Sequence, residues 1–217
     1  MTRWPALALL ALVAACSTTV TGAPTWPGAR LEKVLLTPAD FPPGVQYDRI
    51  VDDPAQGGSA GGPPPMLSRP EGCSDGLTRV IERGAERGPG SAAKYVAAYD
   101  VARSVMTVLT WNLDVDQLAA TAARCATFET FFDPGDAGIP MTTTRIDTPR
   151  PDALVYRQTM TLAGQDSSVY FGFENVGTMA VFGIAFPTPN PDITAKGELP
   201  ATFVDVFTRQ AERIAAG

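Results

Sequence analysis

The sequence predicts an α+β domain, an antiparallel sheet of about five to six strands packed against two to three helices. Three observations lead there. Several segments carry apolar residues at every second position and are rich in β-branched and aromatic side chains, as half-buried strands are. Other segments repeat apolar residues at three- and four-residue steps, as amphipathic helices do. The 20 glycines and 20 prolines are bunched between these segments, so they mark turns and loops.

Taken in order, the domain spans residues 31–217. Leu31 to Leu36 leads into Thr37-Pro38-Ala39-Asp40, where Thr37 can cap a single turn with Pro38 at its first position. Val45 to Val51 reads as a short strand. Asp52 to Gly72, with five glycines and five prolines, reads as a long loop. Ser74 to Arg87 is a predicted helix stopped by Gly88-Pro89-Gly90. Ala93 to Val101 and Val105 to Asn112 alternate with period two and make a hairpin. A second helix is predicted from Val115 to Phe131, capped by Asp114 or Asp116, with Leu118, Ala122, Cys125, Glu129 and Phe132 at helical steps. Met141 to Ile146 is a further candidate strand. Ala153 to Leu162, Ser168 to Glu174 and Thr178 to Phe186 form a meander, and a last helix runs from Pro200 to Ala215, with Asp205 and Arg209 placed to pair one turn apart.

The N-terminus carries the most specific signal. One basic residue, Arg3, precedes an uncharged run from Trp4 to Ala15, too short to stay in a bilayer as a spanning helix. Its ending, Val13-Ala14-Ala15-Cys16 with Ser17 behind it, resembles the lipobox of bacterial lipoproteins. That resemblance implies a signal peptide over residues 1–15, diacylglycerol on the Cys16 thiol with palmitate among its chains, and a chain tied to the outer face of the cytoplasmic membrane. The alternative is a secretory signal with an incidental cysteine. Residues 16–30 then form a lipidated, Thr- and Pro-rich tether, whose threonines 18, 19, 21 and 25 are candidates for O-linked sugar.

With Cys16 lipidated, Cys73 and Cys125 remain. In an oxidising compartment an even remainder suggests a disulfide, the alternative being two buried free thiols. The net charge is −6, or −7 once Arg3 leaves with residues 1–15, and basic clusters are absent, which argues against nucleic acid.

The chain contains no histidine, so Ser-His and Cys-His nucleophile pairs and histidine metal sites are excluded. Gly57-Gly58-Ser59-Ala60-Gly61 matches a nucleophile-elbow pattern by letters but lies in the Gly/Pro loop without a base. Asp114 and Asp116 read as helix caps, and Asp133-Pro134-Gly135-Asp136 as a turn without the alternating ligands of a calcium loop. Arg79, Arg83 and Arg87 form a helix stripe interleaved with Glu82 and Glu86. No catalytic residue, metal or cofactor is assigned. Tyr156, Tyr170, Phe171, Phe173, Phe182 and Phe186 are candidates to line an apolar pocket between sheet and helices, against the plainer reading that they are core.

The layout resembles actinobacterial, especially mycobacterial, cell-envelope lipoproteins. Within them, Leu35-Leu36-Thr37-Pro38-Ala39-Asp40-Phe41-Pro42-Pro43-Gly44 is similar to the opening of domains related to the PknH-like extracellular sensor domain. That group sits on receptor kinases and also occurs as stand-alone lipoproteins. Its kinase members carry two disulfides, where this chain can make one. The resemblance implies a non-catalytic sensing or binding module for an undefined envelope ligand or protein. A carrier of envelope lipid and a protein–protein module are the alternatives, with an enzyme last.

Overall fold

The computed structural model describes residues 27–50, 66–79 and 90–217. They form one nine-stranded antiparallel sheet with three helices, of which α1 (Pro27–Val34) comes first. A 3-10 turn (Pro38–Asp40) follows, then β1 (Gln46–Ile50), β2 (Leu67–Arg69), β3 (Ala92–Ala98) and β4 (Ala102–Leu109). The second helix, α2 (Val115–Arg124), precedes β5 (Thr127–Phe131), β6 (Ile139–Ile146), β7 (Leu154–Leu162), β8 (Gln165–Val176) and β9 (Met179–Pro187), and α3 (Ala201–Ala216) ends the series. The strand order is β1-β3-β4-β9-β8-β7-β6-β5-β2, every neighbour antiparallel.

The α+β class holds, but the sheet has nine strands where five to six were expected. Two strands account for most of the difference. The helix predicted to Phe131 stops at Arg124, and Cys125 leaves helical geometry at its C-cap. Thr127-Phe128-Glu129-Thr130-Phe131 then runs as β5, with Phe128 and Thr130 buried and Thr127 and Glu129 exposed. That period-two pattern prevails over the helical spacing of Cys125, Glu129 and Phe132, because β6 offers β5 a ladder and buries one of its faces. The other strand is β2, three residues inside the segment read as loop, held by pairing with β5. Residues 51–65 of that loop, 80–87 of the predicted first helix and Gly88-Pro89 of its stop lie outside the described residues. The N-terminal boundary also differs: α1 starts at Pro27, ahead of the Leu31 where the domain was expected to begin.

Alternation along the strands gives the sheet two dry faces. On one, Tyr95, Met106, Val108, Val155, Tyr170 and Val181 meet Leu31, Phe203, Val206, Phe207 and Ile214 of α1 and α3. On the other, Leu109, Tyr156, Phe171, Phe173 and Ala180 meet Leu118 and Ala122 of α2. The centre of the first face is shaped by two glycines. Gly172 of β8 and Gly183 of β9 are register partners, and Phe203 and Phe207, one helical turn apart, lie over them. A Cβ on Gly172 would fall 2.7 Å from the Phe207 ring, and one on Gly183 2.9 Å from the Phe203 ring and the Met106 sulfur. Only glycine admits the helix at this depth. Gly172→Ala therefore has to push α3 outward, and we expect a loss of about 1–3 kcal/mol in urea unfolding; an unchanged midpoint would mean that the rings rotate away freely.

Polar clamps hold the loops to this frame. Arg150 reaches Glu174, which is buried on the α3 face, through Nε at 2.8 Å from both carboxylate oxygens and Nη2 at 2.5 Å from Oε1. The geometry is bidentate and hydrogen-bonded, which is what makes a buried pair tolerable. On the α2 face Asn175 accepts from the Leu113 N–H at 2.8 Å and donates to its carbonyl at 2.9 Å, fixing the approach to α2. Asp114 caps that helix through the Gln117 N–H at 2.9 Å.

Cys73 and Cys125 are joined, with Cα atoms 5.5 Å apart and both residues buried against Phe128. The bond ties the turn after β2 to the C-terminal end of α2. Closing a chain separation of 52 residues restricts the unfolded state by about 4 kcal/mol in the chain-entropy account. Replacing both cysteines by alanine should lower the melting temperature by roughly 10 °C, taking about 2–4 °C per kcal/mol for a domain of this size. Calorimetry on the two proteins tests this, and coincident transitions would show that β2 and α2 hold without the bond.

Candidate functional site

The six aromatic residues expected to line one pocket do not come together. Adjacent residues of a strand face opposite ways, so Tyr170 packs under α3 with its ring 6.3 Å from Phe203, while Phe171 and Phe173 face α2. Phe173 stacks on Phe182 at 5.3 Å, Tyr156 joins them on that face, and Phe186 is half-buried further along β9. None of the six lines either of the two hollows described below. Cys16, Ser59, Arg83 and Arg87 lie outside the described residues. Asp133 and Asp136 form a turn closed by two backbone-N–H contacts of 3.0 Å.

The Leu35–Gly44 opening is a latch on α3. Asp40 accepts from the Thr37 N–H at 2.7 Å and hydroxyl at 2.8 Å, and its other oxygen accepts from Arg213 of α3. Arg209 donates to the Asp40 carbonyl at 2.6 Å and lies 5.2 Å over the Phe41 ring. Buried Gln210 accepts from the Leu36 N–H at 3.1 Å and donates to the Val34 carbonyl at 2.7 Å, so one side chain satisfies two backbone groups. Phe41 joins Tyr47 and Tyr95, which stack at 5.3 Å, and Tyr47 donates to the Leu36 carbonyl at 2.9 Å. Burial raises the phenols of Tyr47, Tyr95 and Tyr99 above their ordinary value. Gly44 takes a left-handed conformation and a Cβ there would sit 2.1 Å from the Thr194 hydroxyl oxygen. Leu35, Leu36, Asp40 and Phe41 of the opening thus have packing or clamping tasks, while Pro38, Ala39, Pro42 and Pro43 stand exposed.

Asp40 also makes the latch sensitive to acid. The Thr37 backbone N–H holds its carboxyl below the ordinary 3.8, burial opposes this, and the Thr37 hydroxyl, Arg213 and Arg209 add to the lowering. A lowered carboxylate contributes stability that is present above the unfolded value and is lost as pH falls through the folded one. We therefore expect Asp40→Asn to cost about 1 kcal/mol at neutral pH. The deficit against wild type should vanish well below pH 3.8 in acid titrations of stability. A deficit constant with pH would assign the effect to packing.

Among the described residues, two hollows bear on function. One, about 300 Å³, lies beside the disulfide among Gly72, Arg79, Gln117, Thr121 and Arg124. Its cations are engaged: Arg79 grips Asp75 with three contacts of 2.6–2.9 Å, and Arg124 donates to the Glu71 carbonyl at 2.9 Å. The other is an open groove of about 580 Å³ where α1, the β8–β9 turn and the end of α3 meet. Val34, Met179 and Ile214 form a buried apolar floor, and Gly177, Thr178 and Ala215 edge it. Arg30 and Lys33, three residues apart on α1, stand exposed at the rim. Neither side chain has an ion pair or hydrogen bond among the described residues. The groove is the candidate site because its cations are uncommitted. The sequence reading missed it, since Arg30 fell in the presumed tether; the Arg30–Lys33 helical spacing was the available signal.

No family model and no curated protein matches the chain. Among solved structures, the chain is similar to an uncharacterized protein from Mycobacterium smegmatis, described as an Rv0999 ortholog. The two share 13% identity with a TM-score of 0.46, over 88% of this chain and 96% of the other.

Proposed function

We propose that the protein is a membrane-anchored, non-catalytic binding module of the cell envelope, tied to the outer face of the cytoplasmic membrane through lipid on Cys16. The observation that carries this reading is the Val13-Ala14-Ala15-Cys16-Ser17 ending of a short apolar run, followed within a dozen residues by α1. A non-catalytic role is supported by what buried Glu174 and half-buried Asp40 do. Glu174 and Asp40 are consumed in clamping loops to the sheet and to α3, which is scaffold work. The Leu35–Gly44 similarity fits a sensor-like domain of the stand-alone lipoprotein kind, and it carries over the latch and not a ligand site.

A lipid carrier with its cargo between sheet and helices is the second reading. The filling of that layer by Phe203 and Phe207 over Gly172 and Gly183 favours ligand binding at the surface instead. The anchoring is tested in cells of a lipoprotein-processing host. Wild type should incorporate labelled palmitate and enter the detergent phase, whereas Cys16→Ala should lose the label and accumulate as unprocessed precursor. Normal cleavage and unchanged partitioning of the variant would overturn the reading.

A further inference from the structure

The geometry points to the groove between α1 and α3 as a seat for an anionic phospholipid headgroup. This rests on the anchoring reading above, because the membrane that holds Cys16 supplies the ligand. Three observations converge on it. The first is distance: ten residues, 17–26, separate Cys16 from the start of α1, a contour of at most about 35 Å, so α1 cannot leave the neighbourhood of the bilayer. The second is charge. Arg30 and Lys33 lie on the rim without carboxylate partners, one a planar fork suited to two phosphodiester oxygens and the other a compact point charge. The third is the floor, where Val34, Met179 and Ile214 offer apolar contact to the glycerol and first methylenes behind a phosphate.

The rest of the molecule sharpens the assignment. With a net charge of −7 once residues 1–15 are removed, the anchored chain is repelled by an anionic surface as a whole, so attraction has to be local. Surface cations also act only within about 8 Å at physiological salt, which demands a position next to the lipid. The hollow beside the disulfide fails the first condition, because Asp75 already holds Arg79. Seating a headgroup at α1 would fix which end of the domain faces the membrane and so set its orientation.

The test uses the mature chain, residues 16–217 carrying Cys16→Ser, so that neither an acyl anchor nor the apolar signal segment contributes, sedimented with vesicles of phosphatidylcholine alone or with phosphatidylglycerol added. We expect binding that depends on phosphatidylglycerol. At roughly a fivefold effect per basic residue near an anionic surface, Arg30→Glu with Lys33→Glu should weaken it at least about tenfold. Ala215→Trp, which fills the edge of the groove and leaves the charges in place, should weaken it as well. Arg103→Glu, an exposed arginine on β4, should bind as the parent does. An equal loss in Arg103→Glu, retention in Ala215→Trp, or binding indifferent to phosphatidylglycerol would each overturn the seat. The anchor is read separately, by palmitate labelling of the chain with Cys16 intact, so that either idea can fail without the other. Melting curves of all variants identify any that loses the fold, and for such a variant Arg30→Gln with Lys33→Gln takes its place.

Discussion

The register of Gly172 against Gly183 is the constraint from which the rest of the domain follows. Two missing side chains at the centre of a nine-stranded sheet leave a trough one helix wide, and Phe203 and Phe207 fill it. Because α3 is sunk there, Val206, Gln210 and Ile214 are carried to fixed places along the same face. Gln210 then meets the backbone of Val34 and Leu36, and Arg209 and Arg213 meet Asp40. The first described helix and the 3-10 turn are positioned by a helix more than 160 residues away in sequence. Burial of the two phenyl rings supplies about 1.5–3 kcal/mol each, and the polar contacts decide the direction in which that energy orders the chain.

This hierarchy changes the meaning of the Leu35–Gly44 similarity. The Leu35–Gly44 resemblance invites a functional reading, yet here Pro38 starts a turn, Asp40 closes it, Phe41 enters an aromatic cluster and Gly44 passes beneath Thr194. Recognition chemistry belongs on surfaces the latch does not consume. The α1–α3 groove is one, because Arg30 and Lys33 project from the half of α1 that faces away from the core.

Much of the fold was legible in the residues, and its misreadings share one cause. The hairpin, the meander and the last helix could be seen because their apolar periods run long enough to show and are bounded by glycine or proline. Thr127–Phe131 was read as helix because Cys125, Glu129 and Phe132 happen to be spaced helically, and only the ladder with β6 decides otherwise. β2 has three residues, too few for any period to show, and exists through its partner. Strand edges depend on distant pairing, and a local pattern cannot report it. The aromatic pocket failed for the opposite reason. Composition suggested a cluster, but Tyr170 and Phe171 are neighbours on a strand and so lie on opposite faces; the alternation rule itself contained the answer. The pairing of Cys73 with Cys125 was accessible by counting, since only two thiols remained after Cys16.

The order in which the strands are joined has a consequence for how the chain comes together during synthesis. β5 to β9 follow one another through short turns and can zip locally. β4, made much earlier, has no partner on its second side until β9 emerges. The β1-β3-β4 unit must therefore wait with one edge unpaired, and the glycine trough stays open to water until α3 follows. An unpaired edge beside an uncovered apolar strip is where a nascent sheet recruits a stranger. The interval between β4 and β9 is thus the period in which this protein most depends on being shielded.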